Sequence, residues 1–283
     1  MSGLLALGIA LVALVVTLAA IGPSIAPHDP TIATGGVNLP PPALSAWPGL
    51  LAGAIFGTLD DPVHWFGTDA SGFDVFSRVI SAPRTDLAIA LAANILSLVL
   101  GVLLGLIAGY FRNWATETLM RVSDVLQSFP VFISAMILVA LAGRSTVNIV
   151  LALSLLYTPI YIRLTRAEVM AQKTRGFVEA ARAIGLTELQ IALRHVLPNA
   201  LTPALIQSSV TIGFAILLTA GLSFVGAGVR PPTPEWGLMI STGANQIILG
   251  EWWPSVFPGL AISLTVFGFA ILGNALEQRY GDG

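Results

Sequence analysis

The chain has 283 residues, of which 55% are hydrophobic and 10% charged, with 28 glycines and a net charge of −2. An ordinary soluble domain carries roughly 25% charged residues; this chain lacks the polar groups to cover a soluble surface, which excludes a soluble enzyme, a disordered chain and a nucleic-acid binder. Zero cysteines exclude a disulfide scaffold, thiolate metal sites, iron–sulfur clusters and cysteine nucleophiles.

What remains is an all-α integral membrane protein. A helix crosses a bilayer core with about 20 mostly apolar residues. Six stretches fit: Leu4–Gly22, Leu87–Phe111, Leu119–Ala142, Thr146–Ile162, Ala204–Val225 and Ser255–Leu276. Apolar runs of this length are helices, because barrel strands alternate and are shorter. The first run, in residues 1–26, reads as a retained anchor rather than a cleaved signal peptide: no Lys or Arg precedes it, and five more spans follow. Along the second span, Ser97, Gly101, Gly105 and Gly109 form a small-residue stripe that admits another backbone. Its partner is a helix of this chain or of another subunit.

Residues 27–83 form a long loop outside the membrane, irregular around Pro40-Pro41-Pro42 and denser from His64 to Arg78, where aromatics interleave with Asp and Gly. That string reads as a folded cap. Residues 84–283 hold the other five spans and one long loop, 163–202, with six of the thirteen basic residues. With both termini in the cytoplasm, Arg112, Arg121, Arg163, Arg166, Lys173, Arg175, Arg182, Arg194 and Arg279 lie inside. Arg78, Arg84, Arg144 and Arg230 lie outside, a distribution that fits the positive-inside rule.

Within the inner loop, Phe177 to Ile184 reads as a short helix ended by Gly185 in the left-handed conformation. Thr187 and Gln190 make a capping box for a second helix that Pro198 limits. The result is a rigid knob. It has no phosphate loop: Lys173-Thr174 is the only lysine context, and Ala167 and Gln172 stand at the glycine positions. Any use of ATP must therefore be borrowed.

Other polar residues read as structural or as site candidates. Arg121 and Asp124, three apart on one helical face, read as a mutual pair at the inner boundary or as part of a gate. Asn94 and Asn148 read as interhelical hydrogen bonders. His28, His64 and His195 are scattered over both sides, which argues against a metal site built from this chain. Trp236, Trp252 and Trp253 suit an outer interfacial belt or a surface for an external protein. An ion-coupled secondary transporter would show an internal repeat and a polar site at mid-membrane, and neither is evident.

Glu179-Ala180-Ala181, then Gly185 and Leu197-Pro198, resembles the EAA loop of ATP-binding-cassette importer permeases. His195 through Asn199 resembles its dipeptide/oligopeptide/nickel branch. Further strings are similar to the second permease subunit of that branch, the DppC/OppC type: Phe66–Arg78, Gly221–Gly226 and Pro234–Gly237, while Arg121, Asp124 and Pro130 resemble the start of its third helix. The likeness covers about residues 64–276 and Ala26–Pro30. It departs at Phe73, usually a polar position, and at about 18 inserted residues, Ala46–Val63.

The resemblance implies a permease subunit that forms the pathway with a sister permease. Two ATPase subunits would bind ATP and Mg²⁺, a binding protein would deliver substrate from outside, and membrane lipid would surround the spans; nucleic acid has no part. The coupling residues it implies are Glu179, Ala180, Ala181, Gly185, His195, Leu197 and Pro198. The implied cargo is a di- or oligopeptide, with a nickel chelate, glutathione or another small solute as alternatives.

Overall fold

The computed structural model describes residues 2–34, 36–56, 63–111 and 113–280. Arg112, counted above with the inner residues, and positions 57–62 of the inserted segment lie outside them. The described residues hold twelve α-helices, three short 3-10 or π segments and a single isolated β-bridge, Thr68 with Asp74.

Five helices are long and apolar enough to span a membrane: α1 (Ser2–Ile25), α3 (Val75–Tyr110), α6 (Thr146–Gln172), α10 (Thr202–Phe224) and α12 (Trp253–Tyr280). Between them lie α2 (Trp47–Phe56), α4 (Trp114–Ser128), α5 (Val131–Ala142) and α11 (Trp236–Gly243). The expected third span, Leu119–Ala142, is not one straight helix. It is α4 and α5, bent by 95° at Phe129-Pro130. Proline has no N–H to continue the ladder and drives the preceding residue out of the helical region; Phe129 is extended (φ −92°, ψ 145°).

Two other spans are longer than their apolar runs. α3 starts at Val75 rather than Leu87, because Asp74 caps it: Ser77 N donates to Asp74 Oδ2 at 2.7 Å. Arg78 and Asp86 interrupt the apolar pattern, yet both are buried with polar partners. The Arg78 guanidinium donates to the Pro30 and Pro232 carbonyls at 3.0 and 3.2 Å. α6 runs through Pro159 to Gln172, so Arg163 and Arg166, expected in the loop, are helical.

The α3–α6 pair is the spine of the bundle, and the small-residue stripe makes it. A Cβ on Gly105 would lie 2.8 Å from the Ile162 carbonyl oxygen, and one on Gly109 would lie 2.9 Å from that of Arg166. The stripe therefore packs within the subunit. Tyr161, buried between α3 and α10, donates its hydroxyl to Asn94 Oδ1 and reaches Ser208 Oγ at 3.3 Å, the interhelical bond expected of Asn94. Asn148 instead binds the Ala142 and Gly143 carbonyls, closing the α5–α6 turn.

The bundle has a cap end and a knob end. At the cap end the Phe66 ring stacks on Phe257 with centroids 3.8 Å apart. Trp253 Nε1 donates to the Thr68 carbonyl at 2.9 Å, and Trp236 Nε1 to that of Val79 at 3.0 Å. Trp236 and Trp253 are thus buried bolts of the cap, and of the expected belt only Trp252 is exposed. Glu235 is fully buried and caps α11, accepting from Gly237 N at 2.9 Å and Leu238 N at 2.6 Å. Asp86 Oδ2 accepts from Trp236 N beside it at 3.3 Å. Burial, the larger cause, raises the Glu235 carboxyl above the usual range.

The expectation that the histidines are scattered fails for two of the three. His28 and His64 stack with centroids 4.3 Å apart at the cap end.

Candidate functional site

The loop singled out for its basic residues folds at the knob end as helices joined by tight turns. α7 (Gly176–Ala183) turns Val178 and Ala181 inward. Its end is a Schellman motif: Gly185 N donates to the Arg182 carbonyl at 2.9 Å, and Leu186 N to that of Ala181 at 3.2 Å. Gly185 has φ +85°, the left-handed region where a side chain is strained, although open space surrounds it. α8 (Glu188–Ile191) follows with the expected capping box, Gln190 N to Thr187 Oγ1 at 3.3 Å and Thr187 N to Gln190 Oε1 at 3.0 Å.

Pro198 does not end this second helix. The chain passes through one wider turn of π-helix, Ala192–Val196, into α9 (Leu197–Ala200), which contains Pro198. A proline ring clashes with the carbonyl four residues back and cannot bond it; the wider turn lets the helix continue. Asn199 Nδ2 donates to the His195 carbonyl at 2.6 Å, so in this bond the pairing of His195 with Asn199 is carried by backbone, not by the imidazole.

The knob is sealed onto the bundle by its own apolar cluster. Val178, Ala181, Ile191, Ala192, Val196 and Ala200 pack with Leu106 and Tyr110 of α3 and Val169 of α6. A polar clasp surrounds it. Arg182 donates to Glu188 through Nε at 2.8 Å and through a terminal nitrogen at 3.2 Å. Tyr110 donates its hydroxyl to Glu188, and Lys173 Nζ reaches the Tyr110 carbonyl at 2.7 Å. The Arg182 and then the Tyr110 hydrogen bonds hold the Glu188 carboxyl down at about 2, and Glu188 in turn raises Arg182.

This geometry divides the expected coupling residues. Glu179, Ala180, Gly185 and Pro198 are exposed, His195 and Leu197 are half-buried, and Ala181 belongs to the knob's own core. Ala181 is thus a packing residue within the knob rather than space for a partner helix. Among the described residues Glu179 has no ion-pair partner. Three exposed apolar side chains were not singled out: Ile184, Leu189 and Leu193, at 77%, 61% and 44% exposure. Ala180 with Ile184, and Leu189 with Leu193, stand four apart, opposite the buried positions, and that spacing was the available signal.

Arg121 and Asp124 are not joined to each other. Asp124 Oδ1 accepts from Arg163 at 2.9 Å, and Glu117 accepts from Arg166 at 2.7 Å, which ties α4 to the extension of α6. The reach of α6 past Ile162 makes these pairs, so sequence spacing alone pointed to the wrong partner.

Residues of α5, α6 and α10 line a half-open cavity of about 380 Å³, among them Phe132, Tyr157, Gln207, Thr211 and Phe214.

Residues 101–282 match the family described as binding-protein-dependent transport system inner membrane component. The di/tripeptide transport system permease protein DppC of Pseudomonas aeruginosa is 37% identical over 271 residues, covering 96% of this chain and 85% of that protein. The glutathione transport system permease protein GsiD of Pectobacterium atrosepticum is 37% identical over 215 residues, 76% of this chain and 71% of the relative. Among solved structures, an inward-facing conformation of the MetNI methionine ABC transporter matches with TM-score 0.53 and 19% identity over 70% of this chain and 96% of that one, a likeness of fold.

Proposed function

The chain belongs to the family of binding-protein-dependent transport system inner membrane components, the permease subunits of ABC importers, and from that premise we propose that it carries short peptides inward with a sister permease. It is a multi-pass membrane protein. The substrate class is supported by relatives named for di/tripeptide, dipeptide and glutathione transport. In this reading the knob end and both termini face the cytoplasm. The functional units are an anchor, an outer cap that ends where α3 begins, and the permease core from α3 onward, with its coupling knob between the ends of α6 and α10.

The observation that carries the coupling role is a rigid knob that shows Glu179 and an apolar surface outward. Two ATPase subunits bind ATP and Mg²⁺, and their closure pushes on Ala180, Ile184, Leu189 and Leu193. Glu179 pairs with a basic group of the ATPase. Gly185 sets the angle between α7 and α8, and Leu197 and Pro198 fix the return of the chain toward α10. His195 supports that return. Because the knob packs directly on α3 and α6, its displacement moves the spine of the bundle, the two-state element that such a mechanism needs. The cavity lined by Tyr157, Gln207 and Thr211 is this chain's wall of the pathway. Arg121 is kept as a gate residue on the cytoplasmic side in this reading, with Asp124 held by Arg163.

The test is reconstitution with the sister permease, both ATPases and the binding protein in vesicles. ATP-dependent accumulation of a labelled dipeptide is expected. Uptake by this chain alone without ATP would overturn the importer assignment, and uptake of only non-peptide solutes would overturn the substrate class.

A further inference from the structure

The cap end brings together three metal-ligating groups that have no motif spacing. His28 follows α1, His64 opens the string before α3, and Asp74 caps α3. Close approach of α1 to α3 at Gly22 and Ile80 draws these segments together. His64 Nδ1 lies 2.8 Å from Asp74 Oδ1, and His28 Nδ1 lies 3.7 Å from Asp74 Oδ2. One ligand atom from each of the three residues falls within 4.8 Å of the others.

We propose that His28, His64 and Asp74 form a binding site for a divalent transition ion of the zinc type at the outer cap. Nitrogen and oxygen ligands sit about 2.1 Å from zinc, so tetrahedral ligands stand about 3.4 Å apart. The two distances to Asp74 bracket that spacing. The His28 distance exceeds a hydrogen bond, yet both rings, stacked within 15° of parallel, turn Nδ1 toward one carboxylate. An ion between them needs the His64–Asp74 hydrogen bond replaced and the widest ligand separation closed by up to about 1.4 Å.

The surroundings fit a first-row metal. Two neutral imidazoles and one carboxylate carry a single negative charge, and the imidazole–carboxylate set suits zinc, nickel or iron over magnesium and calcium. Asp74 is fully buried and its Oδ2 is oriented by Ser77 N, while His28 N donates to Ser77 Oγ at 3.1 Å. Such fixed second contacts are what metal ligands require. The imidazole side chains keep 13% and 20% exposure, so the ion has an entry path and its fourth position is open to water or an external ligand. The ion would staple the exit of α1, the cap and the start of α3.

The assembled complex, purified through a tag without histidine, is dialysed against Zn²⁺ and then against metal-free buffer, and zinc is counted per chain by mass spectrometry. The wild type is expected to retain one equivalent that is lost, with affinity down more than about tenfold, in His28→Gln, His64→Gln and Asp74→Asn. Asparagine keeps the helix cap, so loss in Asp74→Asn reports the ligand rather than the fold. His195→Gln is expected to retain it. Zinc X-ray absorption of the wild type is expected to show two imidazoles. Equal retention in the wild type and the three variants, no bound zinc in the wild type, or a spectrum without imidazole would each overturn the site.

Discussion

The buried pair Asp86 and Glu235 shows what a few polar residues do in a chain this apolar. Two carboxylates share the start of α11, and burial raises the Glu235 carboxyl. A group whose folded value is raised contributes stability that is fully present below its unfolded value and is lost as pH rises through the folded one. Glu235→Gln keeps one of the two oxygens that accept from the Gly237 and Leu238 amides and cannot ionise. The unfolding temperature of the variant relative to the wild type is expected to rise from pH 5 to pH 8. A relative value that fell over that range would contradict the assignment. Pro234-Glu235-Trp236-Gly237 was visible as a string, but its partner Asp86 stands 149 residues away. The Arg121–Asp124 pair failed for the same reason, because Arg163 competes for Asp124 from another helix.

At the scale of elements, the contact of α3 with α6 depends on missing side chains. Without a hydrophobic drive between helices in lipid, close backbone packing supplies the attraction. Gly105→Ala places a methyl 2.8 Å from both the Ile162 carbonyl oxygen and Thr165 Cβ, and backbone cannot yield as a flexible side chain does. A loss of about 1–3 kcal/mol is expected, read as a lowered unfolding temperature in detergent. Gly176→Ala, at the first position of α7 with nothing within 4 Å and no left-handed φ, is expected to be neutral or slightly stabilising. Equal effects of the two would contradict the packing role. The stripe was legible as a spacing of four; which helix it met was not. The bend at Phe129-Pro130 was half-legible: the proline was visible, but the apolar residues on either side masked the turn.

At the scale of the whole molecule, one end holds a bolted cap and the other a sealed knob, joined by α3 and α6. In the proposed reading, a rigid knob transmits displacement whereas a loose loop absorbs it, and the elbow at Gly185 serves coupling more than stability. Gly185→Asp forces a side chain into the left-handed region, costing about 1–2 kcal/mol, and is expected to leave the complex inserted while transport and its coupling to ATP hydrolysis fall together. Wild-type uptake by that variant would remove Gly185 from the coupling path. The sequence by itself determined the membrane class, the number of apolar runs, the knob with its glycine and capping box, and the family, because composition, period and cap chemistry are local properties. Only the tertiary structure decided which carboxylate meets which cation, which way Ala181 faces, and that His28, His64 and Asp74 stand together. Those outcomes follow from the crossing of distant helices, where the extension of α6 from Ile162 to Gln172 or a close approach of α1 to α3 selects the neighbours that spacing along the chain leaves open.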